Sequence, residues 1–185
     1  MTDSLNKTLK DALEAPRMQF VDLWGQMAQH WGINRTMAKV HALLMVAPRP
    51  LTAEDIMETL QISRGNASMN LRELINWGIV RRTSIAGDRR DFFTSEEDVW
   101  VMFQNIMRER KRRELDPLLD RISKCIEAAD KTPVPPEDAA AHTAYVDKMA
   151  ELLQFFTVFH KILGKAIDQQ PAFLSRLTKM VDKMI

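Results

Sequence analysis

A single cysteine, Cys125, in a chain of 185 residues excludes an internal disulfide and any zinc site built from several thiolates. That thiol is expected to be buried and inert, as a small apolar group. Glycine is scarce too, and the six present form no loop of the kind that cradles phosphate. The four histidines, His30, His41, His142 and His160, show no HExxH or other ligand spacing. The sequence therefore points to no catalytic residue, no metal and no cofactor. No apolar run reaches the roughly 18 residues of a membrane span. The opening MTDSLNKTLKDALEAP lacks the apolar core of a signal peptide. A cytoplasmic protein with no membrane partner is expected.

What is present is material for a core and an uneven charge. Hydrophobic residues make up 45% of the chain, enough for one sizeable domain or two small ones. The formal net charge is only +1, yet between Lys39 and Lys111 every positive side chain apart from histidine is an arginine. Residues 61–90 hold six arginines (Arg64, Arg72, Arg81, Arg82, Arg89, Arg90) against Glu73 and Asp88, a local excess of +4. The planar fork of arginine suits phosphate and guanine better than the point charge of lysine does. A local basic patch of this kind can direct a nearly neutral chain to nucleic acid.

Helical spacing of Phe20, Leu23, Trp24, Met27 and Trp31 predicts an amphipathic helix over residues 5–31, stopping at Gly32, with its aromatic stripe in the core. NRTMAKVHALLMVAP gives a second helix ended by Pro48, and LTAEDIMETLQI a short third one capped by Thr52. SRGNASMNLRELINWG gives a fourth, from an N-cap at Ser63 to a stop at Gly78. IVRRTSI, AGDRR and DFFTS then read as two short strands around a turn with arginines beside its tip. Short helix, tight turn, longer helix and hairpin are the order of a winged helix-turn-helix. The fold class expected is mainly α with a small β-hairpin wing, as residues 1–95, followed by a helical dimerisation region, residues 96–185.

The fourth helix is a weak one, with Gly65 and Asn66 in its first turn. At 100° per residue Ala67, Leu71 and Leu74 fall on one side, and Gly65, Met69 and Arg72 fall opposite, flanked by Asn66 and Ser68. The outer face is small where the helix begins, so a backbone could approach a groove wall without steric cost. Asn66 can pair with adenine, Arg72 with guanine or phosphate, and Met69 can lie against a thymine methyl. Ordinary capping and a solvated arginine face would account for the same residues singly; their combination with the hairpin favours duplex DNA as partner.

ISRGNASMNLREL, WGIVRR and GDRRDFF, with the earlier WG at Trp31 and Gly32, resemble the winged-helix domain of MarR-superfamily repressors, most closely the GbsR-type branch. The resemblance covers about residues 17–95 and is architectural beyond. It implies a recognition helix formed by Ser63, Arg64, Gly65, Asn66, Ser68, Met69, Asn70 and Arg72, and a wing carrying Arg89 and Arg90. It further implies a homodimeric regulator and, less directly, a small-molecule effector related to choline or betaine.

In the second half, Ser95 with Asp98 three residues on reads as a capping pair for a helix bearing Val99, Met102, Phe103 and Ile106. RERKRREL, residues 108–115, reads as a solvated basic face, and Asp116-Pro117 as a kink or restart. KTPVPPED is the clearest linker, before helices over about 137–168 and 171–184. LLQFFTVFHKIL has eight apolar residues in twelve, a face wide enough for a subunit interface as well as a core. Symmetric dimers read two half-sites, so a homodimer on a pseudo-palindromic operator is the functional expectation. The alternative is a helical interaction module whose winged part docks another protein, because this fold does not by itself imply DNA binding.

Overall fold

In the computed structural model, which describes residues 2–168 and the side chains of 12–168, each turn is set by a residue suited to it. The first helix, α1 (Thr2–His30), ends where Gly32 takes a positive φ of 72° and its N–H turns back to the Gln29 carbonyl. Asn34 caps α2 (Arg35–Val46), its Oδ1 accepting from Met37 N at 3.0 Å. That helix stops because Ala47, preceding Pro48, is driven into extended backbone. A two-residue strand, β1 (Leu51–Thr52), leads into α3 (Ala53–Leu60) through a capping box. In that box Asp55 N donates to Thr52 Oγ1 at 3.1 Å, and Thr52 N donates to Asp55 Oδ2 at 2.8 Å. Arg49 grips the same carboxylate at 3.0 Å and, with Thr52, holds its pKa down to about 2.

Left-handed Gln61 (φ 53°) makes the tight turn to α4 (Arg64–Asn76), capped by Ser63. Gly78 (φ 68°) then turns the chain into the wing, formed by β2 (Val80–Thr83) and β3 (Phe92–Ser95). The sheet has three antiparallel strands in the order β1-β3-β2, with Phe93 opposite both Leu51 and Arg82. The sequence suggested only two. β1 escapes notice because two residues cannot display an alternating pattern. The chain divides into two compact units between Met102 and Phe103, inside α5 (Val99–Arg110). The first unit is built on Val21, Val40, Ile56, Leu74, Ile79 and Val80, each 2% exposed or less.

In the second unit α5 gives way to a π-helical turn, Lys111–Leu115, and then to α6 (Asp116–Asp130). The expected restart at Asp116-Pro117 is thus a register change. Pro117 has no N–H to offer the preceding turn, and a wider turn absorbs the lost bond. The basic run around it is less solvated than it reads. Glu109 is 7% exposed and paired with Arg112 and Arg113. Past the proline segment, α7 (Ala139–Asp168) packs on α6, and His160 bonds Asp116 at 2.9 Å. The helix expected over 171–184 lies outside the described residues.

Three further expectations change. Cys125 is exposed on α6 and not buried. The aromatic stripe expected in the core does not lie there: Phe20 and Trp24 are half-buried and Leu23, Met27 and Trp31 exposed, while the core-facing residues of α1 are Val21 and Ala28. Ser95 does not cap α5. Asp98 does, accepting from Trp100 N at 2.8 Å and Val101 N at 3.1 Å.

Ser95 instead meets His41, whose Nε2 lies 3.2 Å from its Oγ while the ring stands edge-on to Trp24 at 6.3 Å. His41 is 2% exposed, and burial pushes its pKa from 6.5 down to about 4. The folded-state value is the lower one. Between about pH 6.5 and 4 the unfolded chain therefore takes up a proton that the folded chain refuses, and stability falls as pH falls. Denaturant titrations at pH 7 and pH 5 are expected to show about 2 kcal/mol less stability at pH 5 from this residue. His41→Gln should remove that part of the pH dependence whatever it does to the absolute stability; an unchanged slope would assign the effect elsewhere.

Candidate nucleic-acid interface

The outer edge of α4 exists because its inner edge is fully used. Ala67 (0%), Leu71 (3%) and Leu74 (1%) are buried where α4 packs on α2 and α3. Burying them fixes the helix rotation and turns Gly65, Ser68, Met69 and Arg72 outward, all exposed. Ser63 Oγ is occupied as the cap, accepting from Asn66 N at 3.3 Å. Arg64 is 79% exposed along its side chain and reaches Glu54 at 3.4 Å.

Gly65 is informative for what is missing around it. A Cβ built there meets nothing within 4 Å, and its backbone is ordinary helix, so neither packing nor conformation inside the protein asks for glycine. The missing side chain leaves the surface at the helix start low enough for a close approach from outside.

Two sequence-predicted residues land differently. Asn70 is not on the exposed face; it is 3% exposed, and its Nδ2 bonds Asn66 within the helix. The helical wheel already places it about 60° from Ala67 and on the Leu74 side, so the periodicity pointed inward while the resemblance drew it outward. Arg90 is not a free cation. Its guanidinium is chelated by Asp88, with Nε 3.0 Å and 3.1 Å from the two carboxylate oxygens, and its Cζ lies 5.5 Å from the centre of the Phe92 ring. Asp88 also accepts from Arg90 N at 3.0 Å, and Arg90 holds its carboxyl down to about 2. Together with Gly87 (φ 86°) this clamp sets the shape of the wing tip.

The same pairing runs through the basic stretch. Arg81 is bound to Glu96, and Arg82 reaches Asp91 at 3.1 Å. Glu96, which the sequence reading passed over, also accepts from Glu97 N and Asp98 N, tying the base of the wing to the start of α5. Of the six arginines, only Arg72 and Arg89 have no carboxylate partner among the described residues. Arg72 lines an open hollow of about 610 Å³ between α4 and the wing, which Ser68, Arg82, Arg90 and Asp91 also border.

Among the described residues no cluster of His, Cys, Asp and Glu could hold a metal ion, and no helix is long and apolar enough to cross a membrane. Rings meet along Phe20–Trp24–His41 in the first unit and along Phe155, Phe156 and Phe159 of α7.

The MarR family profile matches residues 31–91. The chain is 22% identical over 166 residues to the HTH-type transcriptional repressor OpcR of Bacillus subtilis, spanning 82% of this chain and 90% of that protein. It is 30% identical over 104 residues to the HTH-type transcriptional regulator MmpR5 of Mycobacterium tuberculosis, or 56% of this chain and 62% of that one. To the HTH-type transcriptional repressor GbsR of Bacillus subtilis it is 24% identical over 104 residues, 56% and 57% of the two chains. These relatives are transcription regulators, not enzymes. A crystal structure of a transcriptional regulator shares the fold, with a TM-score of 0.61 at 21% identity over 82% of this chain and 95% of that one.

Gly65→Ala separates stability from recognition. By helix propensity the variant is expected to unfold at the same temperature or a few degrees higher, gaining up to about 0.5–1 kcal/mol. Its retention on duplex DNA should nevertheless fall. Unchanged retention would show that nothing approaches the helix start.

Proposed function

Starting from a chain that carries a MarR-family winged helix-turn-helix and is a DNA-binding transcription regulator, we propose that it represses transcription as a homodimer, each subunit placing α4 in a major groove and its wing on the adjacent backbone. The observation that carries this is the outer edge of α4, where Gly65, Ser68, Met69 and Arg72 are exposed beside a wing whose Arg89 has no carboxylate partner among the described residues. In this reading the first unit binds DNA and the second pairs the subunits. Asn66, Met69 and Arg72 read bases, Ser63, Arg64, Gly65 and Ser68 allow close approach or touch phosphate, and Arg89 holds backbone or minor groove. Arg90 and Asn70 act by positioning their neighbours.

The second unit supports pairing through α7. Phe155, Val158, Phe159 and Ile162 are 46–62% exposed and recur every three or four residues on one face, with Phe155 and Phe159 stacked at 6.4 Å. A stripe of this kind marks an interface more readily than a solvated surface. The small-molecule effector implied by the resemblance belongs to this proposal without an assigned site.

Two arginines per subunit without a carboxylate partner among the described residues make four per dimer, and releasing their counterions gives about a hundredfold loss of affinity between 50 and 200 mM salt. Fluorescence anisotropy on a duplex at several salt concentrations checks this; a flat response would return the winged domain to a protein-docking role. Arg89→Ala should weaken all sequences alike and flatten the salt slope, whereas Arg72→Ala should change which sequence is preferred. Sites selected from a random pool should be pseudo-palindromic, with half-sites about 10 base pairs apart centre to centre. The double change Phe155→Asp, Ile162→Asp, both on exposed positions, should leave the helical content unchanged and shift sedimentation from dimer to monomer. A wild-type chain that sediments as a monomer at micromolar concentration would rule out the dimer.

A further inference from the structure

The pair Asn66 and Asn70 fixes a choice that the sequence leaves open. Asn70 is 3% exposed, and its Nδ2 donates to the Asn66 backbone oxygen at 2.9 Å and to Asn66 Oδ1 at 2.6 Å. A backbone carbonyl only accepts, so the Asn70 atom facing it has to be the nitrogen. That nitrogen also faces the Asn66 carboxamide, so the Asn66 atom turned toward it has to be the oxygen; the reverse orientation would set two donors against each other. The orientation of both amides thus follows from one backbone carbonyl. Asn66 Nδ2 has no hydrogen-bond partner among the described residues. Among those residues no buried side-chain nitrogen or oxygen lacks a partner, so solvent reaches this atom on the half-buried Asn66. A free asparagine amide offers adenine a donor for N7 and an acceptor for N6. This one has its acceptor turned inward and presents two N–H hydrogens.

Resting on the DNA-reading role proposed above, we infer that Asn70 is a positioning residue that sets the hydrogen-bond polarity of Asn66, so that Asn66 reads the paired acceptors O6 and N7 of guanine and not the donor and acceptor of adenine. Asn70 touches no base. It acts by holding the Asn66 oxygen out of the groove, and its burial against the core of the first unit keeps it from turning away.

The test is selection from a randomised duplex pool with the full-length wild type, Asn66→Ala and Asn70→Ala. The position whose preference disappears in Asn66→Ala should be a G·C pair in the wild-type selection, favoured over A·T by about tenfold. Asn70→Ala frees the Asn66 amide to rotate and should bring that ratio close to one, leaving the other operator positions as they were. A second arm needs no Asn70 variant. Replacing the guanine at that position by 7-deazaguanine, which lacks N7, should weaken the wild type several-fold and leave Asn66→Ala unaffected. An A·T pair at the Asn66-dependent position overturns the inference while leaving DNA reading intact, and so does a 7-deazaguanine effect that persists in Asn66→Ala. Uniform weakening over all sequences in Asn70→Ala, with the G·C ratio kept, reduces Asn70 to a structural residue and overturns it equally. Failure of the wild type to select any sequence removes the reading on which the inference rests.

Discussion

The winged unit depends on one narrow contact, the burial of Ala67, Leu71 and Leu74 along the inner edge of α4. A helix of 13 residues with glycine in its first turn has little stability of its own, so this edge holds it in place. The edge also fixes the helix about its axis. Because residues 65, 68, 69 and 72 follow the same 100° step, fixing three apolar side chains orients four outer ones. Substituting a larger residue at Ala67, which is 0% exposed, would rotate or lift the whole outer face, so the most consequential position for recognition is one that no ligand touches.

Around that edge the local signals agree with the fold. Thr52, Ser63, Gly32 and Gly78 all stand where the sequence puts them, because capping and left-handed turns are decided by a few neighbouring residues. What the sequence hides is whatever requires distant partners. The excess of +4 over residues 61–90 is offset by Glu54, Asp91 and Glu96, which lie outside that window and fold back onto Arg64, Arg82 and Arg81. Ser95 reads as a cap in one dimension and meets His41, 54 residues earlier, in three. Glu109 differs in that its partners are local: it sits in a run that reads as solvated and is 7% exposed, paired with Arg112 and Arg113 three and four residues on. Exposure on α1 and α7 is hidden for a different reason: periodicity marks an apolar stripe but does not say whether the same chain covers it.

The candidate site was legible to a similar depth. Arg72, Met69, Ser68 and Gly65 follow from periodicity alone. Asn70 came from likeness to other chains and lies on the inner side of the wheel. Arg89 and Arg90 are adjacent and chemically identical, yet Asp88 separates them into an unpaired cation and a clamped one. No one-dimensional pattern distinguishes the two, because the difference is where the wing tip bends.

The paired arginines also govern what the domain does at a distance. A guanidinium beside its carboxylate behaves, from afar, as a dipole, and its influence decays faster than that of a lone charge. Seen from several ångströms beyond its surface, the arginine-rich stretch with the carboxylates folded onto it therefore carries a net charge of only about +1, Arg72 and Arg89 being opposed by Glu73. Its pull on a passing polyanion is weak, and random contacts are brief. The other four arginines become available only at touching distance, where a phosphate can displace a carboxylate. The molecule is built to discriminate after arrival more than to attract before it.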